Sequence, residues 1–211
     1  PDNAHLIHKA AIYGHYELSD ISFKYNEEDQ SVALQIPQLN IIAGEKIAIL
    51  GRNGAGKSTL LQLLSGMQSP KKKKIALDGI DIGLLDPMDT RRDVGLLNQN
   101  AHLFFGTIRE NLILGAPLAS DEDILNALRM TGALDFVMAK KNGLDHLILE
   151  GGCGFSGGQK QALLLARLFI RNTNILLLDE PTASFDDLSE KLFIDQLKLS
   201  LANKTVVIAT H

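Results

Sequence analysis

The chain has 211 residues, of which 45% are hydrophobic and 22% charged, and its formal net charge is -4. That is apolar material for one substantial core, or one core carrying a subdomain, and the charge balance gives no field for gripping nucleic acid, so no nucleic-acid partner is expected. The single cysteine, Cys153, excludes an internal disulfide framework and reads as part of a reduced, cytosolic chain.

No apolar run approaches the roughly 20 residues that cross a bilayer, and the opening PDNAHLIHKA lacks the basic-then-apolar layout of a signal peptide. Any service to a membrane is therefore expected from outside the lipid. The ends, Pro1 and His211, read as those of an excised domain. Residues 1–15 are mixed and polar and include His5, His8 and His15; they are expected to behave as a frayed linker, with metal binding by the histidines as the sharper alternative.

Leu18 to Tyr25 and Val32 to Leu39 alternate apolar and polar residues as half-buried antiparallel strands do, which predicts a β-subdomain. The short apolar run 46–50 meets a glycine-rich turn at Gly51, and helical spacing follows from Ser58 to Leu64. Further strands are expected at 75–77 and 94–97, and helices at 108–114 and 122–130. Beyond them come an amphipathic helix over 159–170, a fully apolar strand at 175–178, a helix over 188–201 and a strand at 205–209. Apolar strands separated by helices imply a parallel sheet covered on both faces. The lysine run Lys71 to Lys74, between a helix and a strand, reads as a solvated turn.

Gly51-Arg52-Asn53-Gly54-Ala55-Gly56-Lys57-Ser58 is a full G-x-x-x-x-G-K-[ST] between an expected strand and an expected helix. Glycines let successive N–H groups turn inward, and the helix start adds its positive dipole end, so phosphate is held without side-chain bulk. Lys57 is then placed for the β- and γ-phosphates of ATP, Ser58 for Mg2+ and Thr59 for the α-phosphate. The strand 175–178 delivers Asp179 and Glu180 at its C-terminal edge. A helix cap is the plain use of such a pair; beside a phosphate loop, Asp179 can hold Mg2+ and Glu180 can polarise the water that attacks the γ-phosphate. Phe155-Ser156-Gly157-Gly158-Gln159 opens the amphipathic helix, giving either a glycine-containing cap or a second anion site, like the first but without its lysine. If that turn cannot reach its own loop, two chains head to tail could sandwich ATP.

This order of motifs, from about residue 16 to His211, resembles the ATP-binding cassette (ABC) family. The resemblance implies an α/β fold: a P-loop NTPase (RecA-like) core with a mainly parallel sheet, an antiparallel β-subdomain and an α-helical subdomain inserted at about 100–160. It implies that residues 1–15 are a linker from a preceding transmembrane domain, that 16–211 are the nucleotide-binding domain, and that the family's usual C-terminal continuation is cut. In the family's terms Gly51 to Thr59 resemble Walker A, Gln99 the Q-loop, Ser156 to Gln159 the signature, Asp179-Glu180 Walker B, Asp186 the D-loop and His211 the switch histidine. Gln99 would then ligate Mg2+ and report to the membrane partner, His211 would bond the γ-phosphate and Tyr25 would stack on adenine; by themselves Gln99 reads as a surface glutamine and Tyr25 as a strand-end core residue.

The stretch Leu103 to Asn111 resembles exporters, and Glu150 to Gly154 with Leu114 to Pro117 is similar to bacterial type I protein-secretion exporters. That subgroup implies a protein or peptide cargo, a location at the cytoplasmic face of the inner membrane, and as partners its own transmembrane domain, a second nucleotide-binding domain in an ATP-sandwich homodimer, a periplasmic adaptor and an outer-membrane channel. A soluble ABC-type ATPase of chromosomes or ribosomes is the alternative, disfavoured because no heptad run separates Gln99 from Ser156 and the chain carries one cassette. Phe155, in place of the family's usual leucine, and Lys71 to Lys74, in place of a glycine-containing turn, depart from the pattern at packing and surface positions.

Overall fold

The structure, a computed structural model, describes residues 5–70 and 74–211, so Lys71, Lys72 and Lys73 of the expected solvated turn lie outside the described residues. The chain forms two compact units, each assembled from separate stretches: Pro1–Leu96, Thr173–Glu180 and Asn203–His211 make the first, Leu97–Asn172 and Pro181–Ala202 the second.

In the first unit β1 (Tyr16–Phe23) pairs antiparallel with β2 (Leu34–Ile41), and the sheet continues through β4 (Ala76–Leu77) and β5 (Ile80–Asp81) in the order β2-β1-β4-β5. Pro37, which has no N–H to give, is tolerated because β2 is an edge strand. A second sheet runs β3 (Lys46–Leu50), β10 (Thr205–Thr210), β9 (Ile175–Asp179), β6 (Val94–Leu97), with β10 parallel to both β3 and β9. All five residues of β9 are buried, as expected of a strand with neighbours on both sides. The expectation of strands covered on both faces fails at β3: it lies at the sheet edge with β10 as its neighbour, Lys46, Ala48 and Leu50 are exposed, and Leu50 is 71% accessible. Helix α1 (Lys57–Leu64) follows the glycine-rich turn and sends Leu60, Leu61, Leu63 and Leu64 into a core shared with Leu18, Ile21, Leu77, Leu177 and Val207. Tyr16 is fully buried there; its hydroxyl donates to the Leu64 carbonyl at 2.6 Å, and burial, then the Asp78 charge, push its pKa well above the usual phenol value.

The expectation that residues 1–15 fray does not hold for the described part. Ile12 is fully buried, Ile7 bridges Leu85, and Asp78 accepts the backbone N–H groups of Tyr13, Gly14 and His15 within 3.1 Å. Asp89 and Asp93 take those of Lys9 and Ile12. A polar stretch is thus fastened by carboxylates far along the sequence, which local composition does not register. Among the described residues no metal-sized cluster joins the three histidines: His8 lies with Asp86 and Asp89, whereas His15 lies 3.7 Å from Glu17.

The second unit is mainly helical. It holds α3 (Ile108–Leu112), α4 (Asp121–Thr131), α5 (Leu134–Met138), α6 (Gly157–Ile170) and α7 (Asp187–Ser200), with a short antiparallel pair, β7 (Gly106–Thr107) and β8 (Leu147–Ile148). Capping boxes start three of these helices, Thr107 with Glu110, Ser120 with Asp123, and Ser156 with Gln159. Gly132 closes α4 at φ 75, the left-handed conformation that glycine adopts without a Cβ penalty. This unit extends beyond the expected 100–160, taking in all of α6 and the separate segment that carries α7. Among the described residues no helix is long and apolar enough to cross a membrane.

Candidate nucleotide site

Residues 51–56 join β3 to α1 and hold their shape through glycine. Gly54 and Gly56 lie at φ 82 and 93, and a Cβ on Gly56 would meet Leu34 Cδ1 at 2.8 Å and the Ala33 carbonyl at 3.0 Å, so no other residue fits without movement. Gly56 is also the N-cap of α1 and offers no side chain to its first N–H groups, which leaves them for a ligand. The buried Lys57 turns its ammonium onto the carbonyls of Gly51 and Arg52, so the loop stores its own cation at the mouth of the nest. A phosphate arriving there would offer charged acceptors in place of two neutral carbonyls.

Next to it, the Ser58 hydroxyl donates to Asp179 Oδ2 at 2.6 Å. Asp179 is 4% exposed, and its other oxygen, Oδ1, is buried without a hydrogen-bond partner. A buried carboxylate oxygen left bare is costly unless something positive completes it, and a serine hydroxyl plus a carboxylate are the hard oxygen donors that Mg2+ prefers. The residues present therefore fit the ion. Glu180 follows at φ 47, a left-handed conformation rare for a residue with a side chain. Its N–H donates to Ala209 O at 2.8 Å, so the β9–β10 pairing runs one residue past β9, and Glu180 Oε1 lies 3.0 Å from His211 Nε2. Parallel register, with Asp179 opposite Ala209, brings carboxylate and imidazole to the same sheet end. Tyr25 stands beside the first turn of α1: its hydroxyl lies 2.8 Å from Thr59 Oγ1 and donates to Gln62 Oε1 at 3.3 Å, while its ring is half exposed and meets Phe23 edge-on.

The first unit thus gathers the loop 51–56, Lys57, Ser58, Thr59, Tyr25, Asp179, Glu180 and His211. The second unit gathers a different set. The Ser156 hydroxyl accepts the Gln159 N–H at 3.1 Å while the Gln159 amide oxygen accepts the Ser156 N–H at 3.0 Å, so the Ser156 proton remains free to donate at the positive end of α6. Gly158 permits a close approach: a Cβ there would lie 2.9 Å from the Ser184 carbonyl oxygen. Asp186 caps α7 through the Ser189 N–H at 2.7 Å, and that bond holds its carboxyl below the usual carboxylate range. Ser156 to Gln159, Ser184 and Asp186 line one cleft of about 680 Å³. Gln99 lies in the turn after β6, exposed, within the second unit. Ser184 and Gln62 were not candidates from sequence; Ser184 contributes a backbone carbonyl, for which no residue type is diagnostic.

A family model described as "ABC transporter" matches residues 34–183. The chain belongs to the ABC transporter family. This ABC domain is 36% identical over 198 residues to a putative multidrug export ATP-binding/permease protein of Staphylococcus aureus, and 37% identical over 200 residues to the alpha-hemolysin translocation ATP-binding protein HlyB of Escherichia coli O157:H7. The matches cover 94% and 95% of the domain but 34% and 28% of those relatives, so the chain spans about a third of their length. Among solved structures, a bacterial Atm1-family ABC exporter with ATP bound superposes with a TM-score of 0.92 at 28% identity, over 100% of this chain and 36% of that one. The P-loop NTPase fold, nucleotide binding and ATPase class expected from the motifs are those of the family.

Proposed function

We propose that this ABC domain is the motor of an exporter, hydrolysing MgATP between two copies of itself and driving a membrane domain from the cytoplasmic face of the inner membrane. The observation that carries the reading is the bare, buried Oδ1 of Asp179 beside Ser58 and the glycine loop, with Glu180 and His211 at the adjoining strand ends.

The loop N–H groups and Lys57 grip the β- and γ-phosphates, with Thr59 at the α-phosphate and Tyr25 offering its exposed ring to the base. Ser58 and Asp179 would hold Mg2+, which when bound neutralises charge on the transferring phosphoryl group, and Gln99 is assigned the reporting role toward the membrane domain. Glu180 accepts the proton of the attacking water as its oxygen bonds to the γ-phosphorus, and the bond from that phosphorus to the bridging oxygen of ADP breaks. His211, paired with Glu180 here, would donate to the γ-phosphate once the pair opens. The Ser156 turn of a second copy closes the other side of the triphosphate, with Asp186 beside it in the same cleft. Glu180→Gln should therefore trap an ATP-bound dimer, seen as a doubling of mass in light scattering, and Ser156→Arg should prevent it. A monomeric Glu180→Gln protein with ATP bound would break the sandwich.

Two features support the exporter reading: relatives of both kinds carry export or translocation in their names, and Leu103 to Asn111 resembles exporters. The soluble chromosome or ribosome reading has no comparable support. We place a protein or peptide as the cargo, with residues 1–15 leading from a transmembrane domain and a periplasmic adaptor and outer-membrane channel as further partners, on the type I-like segments 114–117 and 150–154. Deleting the gene tests this: loss of a secreted polypeptide is expected, whereas a change confined to small-molecule efflux would overturn the cargo assignment.

A further inference from the structure

Arg167, on α6, is a half-buried cation whose partners among the described residues are all carbonyl oxygens. Its Nε donates to Asn111 O at 2.8 Å, Nη1 to His102 O at 3.0 Å and Nη2 to Asn111 Oδ1 at 3.1 Å, and its guanidinium lies 5.7 Å from the centre of the Phe104 ring. Asn111, fully buried, behaves like a strand laid against the same segment: Oδ1 accepts the Phe104 N–H at 2.9 Å, and Nδ2 donates to the carbonyls of Phe104 at 2.9 Å and Thr107 at 3.1 Å. Burial lowers the Arg167 pKa, but arginine cannot shed its proton in a protein, so the cost of desolvation stands. A rigid planar fork that bridges two carbonyls nine residues apart has a use there that a point charge on a flexible stem does not.

The segment fastened in this way follows directly on the turn that carries Gln99, which is closed by Ala101 N–H to Asn98 O and by His102 Nδ1 at 3.1 Å from Asn100 O. The helix it is fastened to is the one capped by Ser156. We propose that Arg167, with Asn111, is a positioning residue that makes the Gln99 turn and the Ser156 helix one mechanical body, so that a ligand drawing on Ser156 moves Gln99 with it. The inference rests on the nucleotide reading for the roles of Gln99 and Ser156, and on geometry alone for the clamp.

The test combines exchange with a double-mutant cycle on the chain as it stands. In the parent, the Phe104 amide should exchange as slowly as the middle of α6. Arg167→Lys, which keeps the charge but cannot span both carbonyls, should speed exchange across residues 98–104 at least about tenfold with α6 unchanged. The same variant should lower ATP turnover about tenfold in the parent and less than about twofold in a Gln99→Ala background, with ADP affinity unmoved. A merely structural loss would lower turnover equally in both backgrounds and would overturn the positioning role. A Phe104 amide exchanging like an exposed loop would overturn the clamp without any variant. Slow exchange in a parent that binds no nucleotide would sink the ATPase reading and leave the clamp standing.

Discussion

The two units build their ligand groups by different means. In the first, the candidate side chains sit at strand ends and on the first turn of α1: Ser58 and Asp179 are locked at 2.6 Å, Glu180 and His211 at 3.0 Å, and Lys57 and Asp179 are buried. In the second, they are helix caps: Ser156 and Asp186 are exposed side chains whose order comes from bonds to their own helices. A parallel sheet fixes its strand ends through long-range pairing, so its site is organised before a ligand arrives. A cap is fixed locally and presents donors outward, which suits a surface that receives a phosphate already held by something else.

That contrast predicts separable effects. The largest is on Glu180→Gln, where turnover should fall by roughly a thousandfold, the scale of a lost general base, while ATP affinity is retained; steady-state ATPase assays and equilibrium binding read the two. Lys57→Ala comes next, with ATP affinity down roughly 10- to 100-fold in the isolated monomer, the scale of a lost charge-assisted bond; equal loss of affinity from Ser156→Ala would erase the distinction between the units. Gly158→Ala should destabilise the second unit by about 1–3 kcal/mol in urea unfolding, because the added methyl 2.9 Å from the Ser184 carbonyl outweighs the helix-propensity gain of about 1 kcal/mol. The smallest effect is on pH. Asp186 has its folded pKa lowered by the Ser189 N–H, so its stabilising contribution is full above the ordinary aspartate pKa of about 4 and disappears as pH falls through the lower folded value. Asp186→Asn should flatten that acid limb of the unfolding curve.

The strands and helix that bracket the glycine loop were legible in the sequence, because backbone-driven phosphate sites leave strong local marks in glycine and lysine spacing, whereas Tyr25 and His211 stood out only through the family resemblance. What stayed hidden depended on distant partners. The fastening of residues 9–15 comes from Asp78, Asp89 and Asp93, more than 60 positions away, and the exposure of β3 comes from its place at a sheet edge. One omission was avoidable: α2 (Pro87–Asp93) carries Asp86 as its cap, a proline at its first position, Asp89 in the first turn and Arg91 and Arg92 in the last, a full set of helix signals that its short length concealed.

The central claim is that the loop around Lys57 holds a purine nucleoside triphosphate, and calorimetric titration of the chain with MgATP tests it directly. Saturable binding of one nucleotide per chain is expected, weakened at least about tenfold by Lys57→Ala. No heat of binding in the parent, or the same affinity in the variant, would contradict it.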